Sequence, residues 1–331
     1  MASPAATDRP PLKDADEARR RGEAFLAALD RARPDLTRAP RVPGKPRGVD
    51  VYGHDDLCMA MGFAADIFER RHGRAPDLVG LPQCCDHFFA VKFFEPLASP
   101  NPADKLNTHR FVPEPMRGRA LRPGRPWASA EPALPPEDAV PARRYMLKVA
   151  LGNAQMVPVD WPPSLEARAR CDALLRKWFA RRYGLRWGEW WYSAGRQRAF
   201  LETHIGERIK GRPEYRVYVR EGRVAAFYLT LYLDRKGTGN RLQAVFDAEK
   251  RRLPVMGRGA TPWEGALPAW INDMLAVAGG MGRSMRICRV DFMDVGADRP
   301  CISEITLCDN NARRLYETPE MDRIMRDLLF G

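Results

Sequence analysis

The sequence predicts an α+β chain, and three observations carry that prediction. Strand-length segments of alternating apolar and polar residues pair into hairpins, of which Glu214–Arg220 and Arg223–Tyr232, turning at Glu221-Gly222, form the clearest. A second hairpin spans 285–305, where a β-branched and apolar segment at 285–293 and another at 301–305 flank a polar turn at 295–299. Apolar residues at helical spacing occupy 14–31, 54–71, 164–182 and 319–330. At 331 residues the chain exceeds the usual size of one domain, so two or three packed subdomains are expected.

From the N-terminus, the first 13 residues are Pro- and Ala-rich without a continuous apolar segment, which predicts no signal peptide. The charged helix 14–31 puts Phe25, Leu26 and Leu29 on one face, and prolines break regular structure over 34–46. Helix 54–71 spaces Leu57, Met61, Ala64, Ala65 and Phe68 as core. The aromatic stretch 78–94, around Cys84, Cys85 and His87, is expected to pack on the main body, with His87 a hydrogen-bonded core residue rather than a ligand. A short helix over 103–112 carries Lys105 near its start, and a Pro- and Arg-rich connection follows to about residue 142.

Arg144–Val149 is a predicted strand that presents Lys148 beside the glycine-containing turn 151–155. Such a lysine suits the holding of phosphates, and a surface hairpin lysine is the alternative. Helix 164–182, capped by Ser164, aligns Leu165, Cys171, Leu174, Leu175, Trp178 and Phe179 on one buried face. The aromatic block YGLRWGEWWY, 183–192, reads as core, and 198–205 as a strand entering an exposed link. Helix 267–278 is expected to end at Gly279-Gly280, and 319–330 closes the chain as a helix.

The bulk properties narrow the function. A hydrophobic share of 45% with 29% charged residues places the chain among soluble globular proteins, and no apolar run is long enough to span a bilayer. Seven cysteines at irregular spacing without a CxxC pair favour reduced, mostly buried thiols and a cytoplasmic location over a disulfide framework or a zinc site. The net charge of +12 is mostly arginine scattered through helices and loops, with no nucleic-acid module, so it favours anionic substrates such as nucleotides or acidic sugars.

The hairpin at 285–305 holds the chemistry. Side chains repeat every second residue along a strand, so Arg289, Asp291 and Glu304 can share one face, two carboxylates and a guanidinium suited to a divalent metal and phosphate oxygens. The alternative is a solvated face with an ordinary ion pair.

Between residues 104 and 330 an ordered set of motifs resembles the ATP-grasp superfamily, most closely its TupA-like branch, named after teichuronopeptide biosynthesis. The set comprises Asp104-Lys105-Leu106, Met146-Leu147-Lys148 with the turn LGNAQ, and Tyr183-Gly184 with Glu189-Trp190-Trp191-Tyr192. It continues with the hinge-like Leu201 to Ile205, the strand pair from Glu214, and Arg289-Val290-Asp291 with Ser303-Glu304-Ile305-Thr306. The resemblance implies an ATP-grasp fold of two α+β subdomains gripping ATP, with a helical N-terminal extension. The corresponding divisions are a flexible tail and charged helix at 1–45, a helical region at 46–103, a small lid subdomain with linker at 104–200, and a large subdomain with the metal site at 201–331.

It also implies roles, residue by residue. Lys105 and Lys148 resemble the lysines that contact nucleotide phosphates; Glu202, Thr203 and Ile205 the hinge that receives adenine through backbone groups; Glu214 the acid on the ribose hydroxyls. Asp291 and Glu304 resemble the acids that bind magnesium (Mg2+), and Arg289 together with Lys148 the groups that act on the transferring phosphate and the oxyanion. Two departures stand out: Thr306 occupies the position where the wider superfamily carries an Asn metal ligand, although the TupA-like pattern also has Thr there, with Asn310 or Asn311 as substitutes; and LGNAQ is a glycine-poor loop. The implied activity is an ATP-dependent carboxylate-amine ligase working through an acyl phosphate on a bacterial glycan or small metabolite. A kinase acting on a hydroxyl, a non-catalytic nucleotide-binding protein and, last, a polyanion-binding module are the alternatives. The segments 113–142 and 234–262 carry no motif that names the acceptor.

Overall fold

The hairpin of β5 (Glu214–Arg220) and β6 (Arg223–Tyr232) is the centre of a six-stranded sheet in the computed structural model, which describes residues 12–181, 183–184, 187–233 and 240–331. The tail to residue 11, Arg182 at the end of the predicted basic helix, Leu185 and Arg186 of the aromatic block, and 234–239 of the segment 234–262 lie outside the described residues. Glu221 and Gly222 both take positive φ, 51° and 81°, the backbone a tight hairpin turn requires. With β7 (Arg241–Asp247), β8 (Thr261–Pro262), β9 (Ile287–Met293) and β10 (Cys301–Thr306) the order is β10-β9-β5-β6-β7-β8, all antiparallel except β7 with β8.

A smaller sheet, ordered β1-β4-β2-β3, joins β1 (Trp127–Ser129), β2 (Arg144–Val149), β3 (Met156–Asp160) and β4 (Ala199–Thr203). β3 was not expected: MVPVD is short and contains a proline, which reads as a breaker, yet β3 lies at the sheet edge, where a missing N–H costs no ladder bond. Tyr145, Leu147, Val149 and Leu201 form a core with Cys171, Leu175 and Trp178 of α6 (Leu165–Phe179), which Ser164 caps as predicted. Leu165 departs from the expected buried face at 84% exposure, since it opens the first turn, beyond the sheet. The expected division between 200 and 201 falls inside β4, so the small sheet runs to Thr203.

The N-terminal region is helical, as expected. α1 (Ala15–Ala32), capped by Asp14, crosses α4 (His54–His72) backbone to backbone. A Cβ on Gly22 would sit 1.7 Å from the Cys58 carbonyl oxygen, and one on Gly62 would sit 1.9 Å from that of Ala18. Single turns α2 (Pro34–Thr37) and α3 (Gly48–Val51) lead to α4, and α5 (Cys84–Phe94) buries Phe88, Phe89 and Phe93. His87 stacks on Phe330 of α9 (Pro319–Phe330), with ring centroids 4.4 Å apart.

Two expectations need correction here. Residues 102–107 form turns and a bend, and within the expected helix only Thr108–Phe111 makes a 3-10 turn, so Lys105 precedes the helical segment. Helix α8 (Ile271–Met281) runs through Gly279-Gly280 rather than stopping there. Those glycines serve close packing: a Cβ on Gly279 would meet the Gly222 carbonyl oxygen at 2.9 Å, and one on Gly280 would meet Pro113 at 2.6 Å. α8 covers the face of β5 that carries Tyr215, Val217 and Val219, with Trp270 edge-on to Tyr215 at 5.1 Å. The alternate residues of β5, Glu214, Arg216 and Tyr218, therefore face the other way.

Candidate active site

Register places the site residues of the large sheet. In β9 and β10, Asp291 lies opposite Glu304 and Arg289 opposite Thr306, with an irregularity between Ile302 and Glu304. Arg216 of β5 lies opposite Asp291 on the other side. One face thus carries Glu214, Arg216, Arg289, Asp291, Glu304 and Thr306, the arrangement the period of two predicts.

That face is knitted by buried charge. Arg289 donates from Nε and Nη2 to both oxygens of Asp291, at 2.7 and 2.6 Å, from Nη2 to Thr306 Oγ1 at 3.2 Å, and from Nη1 to Asp309. Asp309 also accepts from Arg314, whose guanidinium lies 5.0 Å from the centre of the Tyr228 ring. Burial pushes the Asp291 carboxyl up to about 6 despite the pull of Arg289. Burial also works to raise Asp309, but the flanking Arg314 and Arg289 outweigh it and hold its carboxyl well below the usual range.

Asp309 and Arg314 bracket a run of left-handed backbone, Asn310, Asn311 and Ala312 at φ of 45°, 56° and 59°. His72 of α4 bonds to the Ala312 carbonyl at 2.9 Å. Asn311 is buried with Oδ1 unpartnered, and Asn310 is exposed.

The small sheet supplies the opposite wall. Lys148 on β2 and Glu202 on β4 lie on the face turned away from α6 and pair with each other. Arg125, from the Pro- and Arg-rich connection, donates to Glu202 at 2.9 Å and to the Lys105 carbonyl at 2.6 Å. Lys105 bridges the two walls: its amide bonds to the Ala150 carbonyl at 3.1 Å, and its ammonium bonds to the Gly152 carbonyl and lies 3.8 Å from Glu304 on the large sheet. Burial depresses the Lys105 ammonium, and Lys148 adds to that depression.

The structure thus joins Lys148, Glu202, Lys105 and Glu304 in one chain of contacts, and Arg289, Asp291 and Thr306 in another. The Thr203 amide is taken by the Gly124 carbonyl at 2.8 Å, and the Ile205 carbonyl accepts from Arg208 at 2.9 Å to start the single turn α7 (Gly206–Ile209). Glu214 is held by Arg216 at 2.8 Å, which also donates to Tyr232. Sequence reasoning missed Arg125, Arg216, Asp309 and Arg314. Only Arg216 had a signal, its alternation with Glu214 in EYRVYV.

Among the described residues no group of three or more His, Cys, Asp or Glu is arranged to hold a metal ion. Asp291 and Glu304 are nevertheless opposed oxygen donors, and the Glu304 carboxylate makes no hydrogen bond among the described residues, so the set fits a magnesium that arrives with phosphates and keeps its waters. All seven cysteines are free and buried, and no helix among the described residues is long and apolar enough to cross a membrane.

The fold and site define an α+β protein with two largely antiparallel sheets whose charged faces Lys105 bridges. No family model and no curated protein matches it. Solved structures do match, 80 chains in all. They include D-alanine–D-alanine ligase from Bacillus anthracis, at 14% identity and TM-score 0.40 over 69% of this chain and 66% of that one. They also include the ATP-grasp ligase PsnB complexed with minimal precursor, at 10% and 0.33 over 62% and 52%, and the D-cycloserine synthetase DcsG, at 13% and 0.34 over 69% and 70%. The match thus spans about half of the PsnB chain.

Proposed function

We propose that the chain is an ATP-dependent carboxylate-amine ligase of the ATP-grasp superfamily, resembling its TupA-like branch, and that it condenses an anionic small molecule or glycan with an amine. The observation that carries this reading is the position of Lys105, whose ammonium touches the lid turn at Gly152 and approaches Glu304 on the facing sheet. A phosphate chain laid between the two walls would meet Lys105 and Lys148 from one side and Asp291 and Glu304 from the other.

The residues then divide the work. Lys105 and Lys148 hold the phosphates, and Lys148 must first exchange its pairing with Glu202. Thr203, Ile205 and Glu202 form the link beside which adenine would lie, and Glu214 is the ribose acid. Asp291 and Glu304, with Thr306 beside them, would hold magnesium, which supplies charge neutralisation across the terminal phosphates when bound. Arg289 stabilises the acyl phosphate and the oxyanion that forms when the amine attacks. The substrate carboxylate takes the γ-phosphoryl group, and amine attack then expels phosphate, so the protein mainly positions the reactants and neutralises charge.

The test is product analysis with the full chain, ATP and magnesium. ADP and free phosphate that appear only with carboxylate and amine together support the ligase. ADP without free phosphate assigns a kinase instead, and binding of ATP with no turnover on any acceptor leaves a nucleotide-binding protein.

A further inference from the structure

The block EWWY contributes a carboxylate that the roles above do not use. Glu189 is half-buried at the end of a tight turn in which its amide bonds to the Gly184 carbonyl at 2.9 Å, and a side chain on Gly184 would strike the Glu189 carbonyl oxygen at 2.3 Å. Trp190 and Trp191 bury themselves behind it, and the Trp190 indole N–H bonds to the Lys92 carbonyl at 2.7 Å, so the turn is fixed to α5. Yet among the described residues the Glu189 carboxylate has no hydrogen bond and no ion pair. A half-buried carboxylate on a fixed turn, with no protein partner among the described residues, is open to an incoming cation.

Its surroundings are those of the cleft. The charges that act on it come from Lys92 of α5, Arg313 after β10, Lys105 and Glu304, and its own charge acts on the hydroxyls of Tyr183 and Tyr192. The rings of Tyr183 and Tyr192 pack edge to face at 5.4 Å, and Lys105 lies 5.7 Å from the centre of the Tyr192 ring. All three cations have other tasks: the buried Lys92 bonds to the Trp187 carbonyl at 3.2 Å and is depressed by its burial, Lys105 is bonded to Gly152, and the Arg313 Nε donates to the Asn310 carbonyl at 3.2 Å. A condensation of an anion with an ammonium needs a pocket of both signs, and Glu189 is the negative group there with no protein partner.

We propose that Glu189, beside Tyr183 and Tyr192, receives the amine nucleophile as its ammonium and takes its first proton. This assignment rests on the ligase reading. The ammonium gives one proton to Glu189, and its freed lone pair forms the C–N bond at the acyl carbon. The C–O bond to phosphate breaks with its electron pair, and the second nitrogen proton leaves with the phosphate. Burial raises the Glu189 carboxyl toward the range in which a carboxylate serves as a base.

The experiment compares the wild-type chain with Glu189→Gln and Glu189→Asp, with ATP, magnesium and a panel of glucuronate, galacturonate and the standard amino acids as carboxylates. Hydroxylamine, largely unprotonated at neutral pH, or an excess of each amino acid serves as nucleophile. Expected for Glu189→Gln is hydroxamate formation within about twofold of wild type, amine ligation slower by about 100-fold, and a ligation rate that climbs with pH as free amine accumulates. Glu189→Asp should recover part of the loss, and matching melting temperatures exclude a folding defect. Wild-type ligation by Glu189→Gln, or equal loss of hydroxamate and ligation, overturns the assignment while the ligase reading stands. A wild-type chain that releases no ADP with any pair removes the ligase reading, and the assignment with it.

Discussion

Replacing Asp309 by Asn would test the charge network beneath the site. Asp309 is fully enclosed between Arg289 and Arg314, and both guanidiniums are themselves nearly buried. Arg289 keeps Asp291 when Asp309 loses its charge, but among the described residues Arg314 keeps only the face of Tyr228, because both of its side-chain hydrogen bonds there end on Asp309. Leaving a buried cation without its partner costs about 3–5 kcal/mol. For a chain of this size that corresponds to a melting temperature lower by roughly 10 °C. The double variant Asp309→Asn with Arg314→Met removes the orphaned charge together with its partner and should recover more than half of the loss. Denaturant unfolding of wild type, single and double variants measures both quantities. A single variant within 1 kcal/mol of wild type, or a double variant no more stable than the single one, would refute the claim that Arg314 depends on Asp309.

Glu304→Gln removes an oxygen charge from the cleft without disturbing any hydrogen bond of the described residues, so ADP formation should fall about 100-fold or more while the melting temperature stays within about 1 °C; equal turnover across a magnesium titration would contradict a metal role. Gly62→Ala drives a methyl into the Ala18 carbonyl and should cost at least about 2 kcal/mol by prising α1 from α4, to be read as loss of stability in urea unfolding. Asp322 is buried, accepts from the Cys84 amide at 3.2 Å, and burial pushes its carboxyl up from 3.8 to about 6. The raised value means the folded state binds the proton more tightly, so this group's favourable contribution is complete below pH 3.8 and is lost as pH rises through about 6. Asp322→Asn should therefore match wild type near pH 4 and exceed it by up to about 3 kcal/mol at pH 7, and a constant offset across that range would argue against the titration.

How much of this was legible in the chain depends on whether a residue's position followed from local periodicity. The face of Arg289, Asp291 and Glu304 did, because strand side chains alternate whatever the tertiary context. Arg216 follows by the same rule from Glu214, since alternation in EYRVYV puts both on one face of the strand. The helices follow where one face is apolar, but Gly279-Gly280 predicts an end that α8 runs past to Met281, because Gly-Gly signals both a terminus and a close contact. Gly279 and Gly280 answer the second need, against Gly222 and Pro113, which no local pattern reveals.

Asp309 and Arg314 were out of reach for a different reason. They are brought to Arg289 by three successive left-handed residues, none of them glycine, held by a bond from His72 some 240 positions away. Arg125 reaches the site from a connection with no periodicity at all. Periodicity thus reports which side chains share a face, but not which partner each one takes. At this face that choice bears on the proposed roles: Arg289 occupies both oxygens of Asp291 and Arg216 occupies Glu214, whereas among the described residues the Glu304 carboxylate meets only the ammonium of Lys105 at 3.8 Å. In the proposed site Glu304 would therefore be the acid open to an incoming cation at once, and Asp291 would become available only if Arg289 turned from it toward an anion. A phosphate group is such an anion, so the third ligand expected at Thr306 is less decisive than the exchange of Arg289 between Asp291 and the arriving charge.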